Sequence, residues 1–329
     1  MKKVINQPEN AVSEMIEGYI AAYGKEFEKI EEVTGIVKKN LQEKVGIVFG
    51  GGSGHEPLFI GFAGEGLADG IALGNVFAAP TPKTILEVTK AVHKGKGVLY
   101  LYGNYSGDVL NFDMAAELAE FEDIEVKTIL VTDDVASAPL DRKYDRRGIA
   151  GDVLVLKIAG AASEKGMSLE EVAAVAQKAN DCMASIGIAL APGSIPGTDK
   201  YTFSLGENEI EFGMGIHGEQ GIRRDVLKPA DQMVEEMMVY IFEEMVFNEN
   251  EEVVVLVNGL GSTTILELLI VNRKVKQILD EQNIKVIDMD VNNYCTTQEM
   301  AGFSITIFKV DEQLKELYDM PAKSPYYIK

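Results

Sequence analysis

The chain has 329 residues, 46% of them hydrophobic and 25% charged, the balance of a soluble globular protein long enough for two domains. Its 31 Lys and Arg stand against 52 Asp and Glu, a formal net charge of −21. That excess of acid argues against a nucleic-acid backbone or an anionic membrane surface as partner, and leaves open a partner with a basic patch. Two cysteines, Cys182 and Cys295, make no disulfide framework and suit a reducing cytoplasm. The N-terminal residues do not read as a signal peptide, and no apolar run approaches the ~18 residues of a membrane-spanning helix.

In chain order, Val12, Met15, Ile16, Tyr19 and Ile20 recur at helical spacing within a first segment of forty residues that reads as helical. Val45–Gly50 reads as a buried strand running into the glycine-rich Gly50–Pro57, where Pro57 suits the first turn of a following helix. Leu99–Tyr102 is a strand, Gly103–Asp108 a loop, and Asn111–Phe121 a helix with Asn111 placed to cap it. Val126–Val131 is a strand ending at Asp133 and Asp134, with helical patterns over Gly151–Ala162 and Ser168–Ser185. A second set follows: strands at Ile186–Ser194 and Ile210–His217, a helix from about Pro229 to Val246, then strand, loop and helix from Val253 to about Glu281. Lys285–Val291 and Phe303–Val310 are further strands. The alternation predicts an α/β fold of two α/β domains, each a mostly parallel or mixed sheet flanked by helices. The boundary is placed near Ser185, next to the Gly/Pro-rich stretch Pro192–Gly197. Residues 1–185 then carry the glycine run and Asp108, and residues 186–329 carry His217.

Four places could carry chemistry. Glycines after a strand let backbone N–H groups approach a ligand, although Gly50–His55 has neither the Lys-Ser/Thr of a phosphate loop nor the spacing of a dinucleotide fingerprint. The same run also reads as a tight turn with no ligand. His55 ends it; at a helix N-terminus its charged form would be disfavoured, leaving a neutral imidazole to bond a carbonyl or hydroxyl, or simply to cap its helix. In Phe212–His217 a strand period puts Gly213, Gly215 and His217 on one face, bare of side chains before the histidine. A neutral imidazole there could attack a carbonyl carbon, or could be a satisfied histidine over a bulge. Asp108, in a loop between strand and helix, could take a proton from a hydroxyl attacking phosphorus, or be a turn residue. No metal-ligand spacing is present.

Taken together, these segments resemble one family. They are GGGSGHEP (Gly50–Pro57), GNVFAAPTP (Gly74–Pro82), NYSGDVLNFDMAAELAE (Asn104–Glu120), DDVAS (Asp133–Ser137), RRGIAGDVLVLKIAGAA (Arg146–Ala162), GMGIHGEQG (Gly213–Gly221), VNGLGSTT (Val257–Thr264) and EMAGFSITIFKVDEQL (Glu299–Leu314). In this order, along nearly the whole chain, they are similar to the substrate-binding subunit, or first domain, of dihydroxyacetone kinases. The resemblance implies two α/β domains and usually a homodimer. It implies that His217 forms a hemiaminal with the ketone carbon of a short ketose, which selects ketones over glycerol. Asp108 acts as base toward the hydroxyl being phosphorylated, and His55 hydrogen-bonds the substrate and assists. Backbone groups of Gly51 and Gly52 contact substrate oxygens, and Ser53 and Gly103 join them as substrate-binding positions.

The family's nucleotide-binding helical domain is not in this sequence. The resemblance therefore implies no cofactor in this chain and a separate kinase subunit carrying ADP or ATP with Mg2+. Recharging from phosphoenolpyruvate through a phosphotransferase system and direct use of ATP are both open. Two positions depart from the family pattern. Gly103 stands where many members have a lysine that touches substrate, removing a charged donor worth ~1.5–3 kcal/mol and leaving space. Leu58-Phe59 replaces a common Ala-His. Both suggest a four-carbon ketose such as erythrulose. A further alternative is a ketose-sensing paralogue acting as coactivator of a transcription regulator; the retained Asp108 favours the enzyme.

Overall fold

The computed structural model describes residues 2–248 and 251–329. Helix α1 (Ala11–Tyr23) buries Val12, Ile16 and Tyr19, three of the residues whose spacing predicts it. The rest of that first segment is not helical. It forms a short antiparallel pair, β1 (Phe27–Lys29) and β2 (Gly35–Lys38). Then come β3 (Gly46–Ser53), β4 (Gly70–Val76), α2 (Pro82–Val92), β5 (Val98–Gly103), α3 (Ser106–Glu120) and β6 (Val126–Val131). The first sheet has the order β1-β2-β4-β3-β5-β6 and is parallel from β4 to β6.

The pattern of β3 follows from burial on both faces. Ile47 and Phe49 point into the core shared with α4 (Gly151–Glu164) and α5 (Leu169–Asp181), whereas Val48 points into the cluster built with α2 and α3. A strand covered on both sides reads as a continuous apolar run. Every residue of α4 from Gly151 to Ser163 is buried, because α4 lies between the two sheets.

The second sheet contains β7 (Met183–Ala191), β8 (Glu209–Phe212), β9 (Arg223–Val226), β10 (Glu252–Gly259), β11 (Lys285–Asn292) and β12 (Ala301–Val310), in the order β11-β10-β12-β7-β8-β9. Only β10 and β11 pair in parallel. Helices α6 (Ala230–Glu244) and α7 (Ile265–Glu281) cover its outer face with Met233, Val234, Met237, Leu268 and Val271. Thr264 caps α7 through a reciprocal pair with Glu267, as Ser168 and Glu171 do for α5. Helix α8 (Glu312–Asp319) and the residues after it return to the first half, where Tyr327 packs on Phe62 and Tyr326 on Tyr23.

Other local expectations fail as well, among them the helix over Ser168–Ser185, which stops at Asp181 before β7 begins at Met183. Pro57 does not open an α-helix: residues 56–59 form a turn that buries Leu58 and Phe59, Phe59 sits at φ 63°, and only a single 3-10 turn follows at Ile60–Phe62. Asn111 does not cap α3; the helix already starts at Ser106, and the Asn111 amide donates to the Pro80 carbonyl at 2.8 Å. The strand over Ile210–His217 ends at Phe212, because Gly213 turns to φ 75°.

Candidate active site

Strand β3 is flanked by β4 on one side and β5 on the other, so the chain winds away from it in both directions. A crevice at the carboxyl ends of β3 and β5 is the consequence. Pairing with β5 stops at Phe49–Leu101, whereas pairing with β4 runs on to Ser53. The backbone of Gly50–Gly52 therefore belongs to a strand rather than a loop, and has no strand partner on its β5 side. There it lines a small cleft. His55, Phe59, Gly103, Tyr105, Asp108, Asp152, Ile216 and His217 complete the lining.

The glycines of β3 make room for protein. A Cβ on Gly51 would stand 2.2 Å from Phe59 Cζ, and one on Gly52 would stand 2.8 Å from Ala78 N. Gly51, Gly52 and Gly103 all line the cleft. Ser53 does not; its hydroxyl donates to the Gly74 carbonyl at 2.8 Å.

His55 is 1% exposed, in a bend rather than at a helix N-terminus, so no helix dipole acts on it. Burial, and next the charge of His217, push its imidazolium down to about 3. The neutral ring is thus reached by another cause than the expected one. Its Nδ1 lies 2.6 Å from the Thr296 carbonyl, which can only accept, so the proton is on Nδ1 and Nε2 carries a lone pair. The loop around Thr296 holds His55 from the second half of the chain. Thr296 Oγ1 donates to Glu56 O at 2.7 Å, and Gln298 N donates to Gly54 O at 2.9 Å. Thr297 Oγ1 donates to the Ile216 carbonyl, tying the same loop to the residue before His217.

His217 lies in a turn after Gly213, not on a strand face. The two preceding glycines are filled by protein. A Cβ on Gly213 would meet Ala136 Cβ at 2.4 Å, and one on Gly215 would meet Glu219 Oε2 at 2.2 Å and Arg147 at 2.5 Å. Gly215 is what allows Glu219 to fold back on His217: its carboxylate accepts from His217 N at 2.9 Å and contacts His217 Nδ1 at 3.1 Å. Burial pushes the Glu219 carboxyl up, but the hydrogen bond and charge of His217, with Arg147 near, hold it down at about 2. Glu219 is therefore an ionised acceptor, and Nδ1 of His217 donates to it. The Nε2 of His217 points at His55 Nε2 across 2.9 Å. Since His55 Nε2 is an acceptor, all three contacts are satisfied together when His217 carries a proton on each nitrogen.

Asp108 is in the first turn of α3, not in a loop. Burial lifts its carboxyl to about 6, against the charge of His217, and Oδ1 has no hydrogen-bond partner among the described residues. The Tyr105 ring stands edge-on to His217 at 4.7 Å between centroids, its hydroxyl anchored to Gly148 O at 3.0 Å. So His55, Asp108 and His217, far apart in the chain, share one cleft. Glu219, Tyr105, Thr296 and Asp152 were not singled out from sequence. Glu219 lies two residues after His217 in GIHGEQG, which is the one legible signal among them. Among the described residues, no group of His, Cys, Asp or Glu could hold a metal ion.

With this geometry in place, comparisons with known proteins agree on one family. The Dak1 domain model matches residues 17–326. The dihydroxyacetone-binding subunit DhaK of PTS-dependent dihydroxyacetone kinase 2 from Listeria innocua is 46% identical, over 99% of each chain. L-erythrulose kinase from Pectobacterium atrosepticum is 39% identical over 100% of this chain, which covers 56% of that protein. Among solved structures, the dihydroxyacetone kinase operon co-activator Dha-DhaQ superposes with a TM-score of 0.90 at 32% identity, over 96% of this chain and 98% of that one. The chain belongs to the Dak1 family, the family of the dihydroxyacetone-binding DhaK subunits of dihydroxyacetone kinases.

Proposed function

We propose that this chain is the ketose-binding subunit of a phosphotransferase. It holds a short ketose as a hemiaminal on His217 while a separate subunit delivers the phosphoryl group. The observation that carries the proposal is the contact between His55 Nε2 and His217 Nε2 at the head of the cleft, with Glu219 behind. His217 passes its Nε2 proton to His55, and the freed lone pair attacks the carbonyl carbon. The C–N bond forms, the carbonyl π electrons move to oxygen, and that oxygen takes the proton from His55. The imidazole ring ends positively charged with Nδ1–H on the Glu219 carboxylate, and His55 ends neutral. Because burial disfavours a charged His55, it gives the proton up readily. Glycerol has no carbonyl carbon for this step. Asp108 then takes the proton of the hydroxyl that attacks phosphorus.

The nucleotide, ADP or ATP with Mg2+, is carried by the partner subunit, since Gly50–Ser53 is a strand with no phosphate-loop lysine. Whether phosphoenolpyruvate recharges that partner is read by assaying phosphoenolpyruvate and ATP as donors with it. A reducing cytoplasm fits the two unpaired cysteines, and no described helix is long and apolar enough to cross a membrane. A homodimer is expected and is tested by light scattering.

Two observations favour neighbouring readings. Gly103 and the L-erythrulose kinase relative favour a four-carbon substrate. The Dha-DhaQ likeness favours a sensor, but the retained Asp108 favours the kinase. A co-crystal with dihydroxyacetone or erythrulose tests the core proposal. Density continuous from His217 Nε2 to the ketone carbon supports it; a ketose bound with no such bond refutes the covalent step.

A further inference from the structure

Asp152 is a buried acid with an oxygen left unpartnered among the described residues. It sits in the first turn of α4, is 1% exposed, and lines the same cleft as His217 and Asp108. Its Oδ1 has no hydrogen-bond partner among the described residues. The nearby donors are committed elsewhere. Ile149 N and Gly151 N both donate to Asp133 at 2.8 Å, and the Tyr105 hydroxyl donates to Gly148 O. Leaving such a group unsatisfied is costly, so its retention calls for a ligand that satisfies it.

The unpartnered Oδ1 lies toward Gly148, where a Cβ would stand 3.1 Å away, and it is Oδ2 that faces Gly103. A Cβ there would stand 3.3 Å from Asp152 Oδ2 and 3.2 Å from the Tyr105 ring. Gly103 therefore fits closely between Tyr105, Gly148 O and Asp152, and any side chain at 103 would crowd Oδ2. The space expected from the missing lysine is thus bounded on one side by a carboxyl. Burial, then the charges of Asp133 and Asp108, raise that carboxyl well above the usual range. A neutral carboxylic acid can both donate to and accept from a hydroxyl. The described residues around it form no cation site.

We propose that Asp152 is a specificity-determining residue whose carboxyl bonds the hydroxyl that a four-carbon ketose has and dihydroxyacetone lacks. The inference rests on the cleft being a ketose site. It assigns the preference to a particular atom pair, not to spare volume alone.

The test measures dissociation constants of dihydroxyacetone, L-erythrulose and D-erythrulose by calorimetry with the full chain and with Asp152→Ala, Asp152→Leu and Asp152→Asn. The wild type is expected to bind one erythrulose enantiomer more tightly than dihydroxyacetone. Asp152→Ala should cut that preference roughly tenfold or more, the size of one lost hydrogen bond in a buried site. Asp152→Asn, whose amide donates and accepts, should keep most of it. If Asp152→Ala does not fold, the isosteric, apolar Leu variant against Asn decides the same question. An unchanged preference in the Ala or Leu variant overturns the proposal. So does a wild type that binds dihydroxyacetone but neither erythrulose, and the ketose reading then stands. A wild type that binds none of the three refutes the ketose reading itself, and this inference with it.

Discussion

Replacing Asp108 with Asn is expected to abolish turnover and raise stability at once. The Asp108 carboxyl titrates at about 6 in the fold against 3.8 when unperturbed. A raised carboxyl pKa means the folded state holds its proton more tightly than the unfolded chain. The resulting penalty is absent below the unfolded value, grows as pH rises from about 4 to about 6, and is complete above that. A gap of about 2 pH units corresponds to ~3 kcal/mol at full strength. Water reaching the half-buried side chain screens part of it, leaving ~1–2 kcal/mol. Asp108→Asn removes the charge, so its melting temperature should exceed that of the wild type by a few degrees at pH 8, and by less at pH 5. Turnover, assayed with the nucleotide-carrying subunit proposed above, should fall ~10²–10⁴-fold. In the wild type, turnover should drop about tenfold from pH 7 to pH 5, as the ionised fraction falls from ~90% to ~10%. A variant with near-wild-type turnover, or one less stable at pH 8 than at pH 5 relative to the wild type, would refute the assignment.

Glu219→Gln removes the anion behind His217 and should weaken ketose binding roughly tenfold to a hundredfold, the worth of a charge-assisted hydrogen bond, as read by calorimetry. Gly51→Ala drives a Cβ into the Phe59 ring, so chemical denaturation should show a loss of ~1–3 kcal/mol in the wild type and little further loss when made on top of Phe59→Ala. Asp69 is 1% exposed and pairs with Lys44 at 2.6 Å and Lys38 at 3.0 Å. Asp69→Ala leaves both lysines with only Glu164 as counter-charge among the described residues, 3.6 Å from each, and should cost ~3 kcal/mol in the same assay.

How much of this was legible in sequence depended on whether the signal was local. Apolar runs such as Val253–Val257 and capped amphipathic helices such as α7 declare themselves, because one period or one cap suffices. Strand β4 and helix α2 did not: β4 reads GIALGNV, and its glycines fit against α2 and the Ala78–Pro80 segment instead of alternating with polar residues. The glycines before His217 misled for a related reason. They were read as clearance for a ligand, yet the space is occupied by Ala136, Glu219 and Arg147. His55, Asp108 and His217 are candidates from their local context and gain their roles from motif resemblance, and nothing in their spacing shows that a loop from residue 296 would bring two histidines to 2.9 Å. Asp152 was invisible because its meaning is entirely tertiary. An aspartate opening a helix is ordinary; one buried without a partner against Gly103 is not.

The covalent bond proposed at His217 Nε2 is best tested by nuclear magnetic resonance, with the protein labelled with 15N at histidine and the ketose with 13C at its carbonyl carbon. The account predicts that the labelled carbon leaves the ketone region for the tetrahedral one and shows one-bond coupling to a single imidazole nitrogen, lost in His217→Ala. A bound ketose whose carbon stays trigonal, or is tetrahedral without coupling to nitrogen, would contradict it.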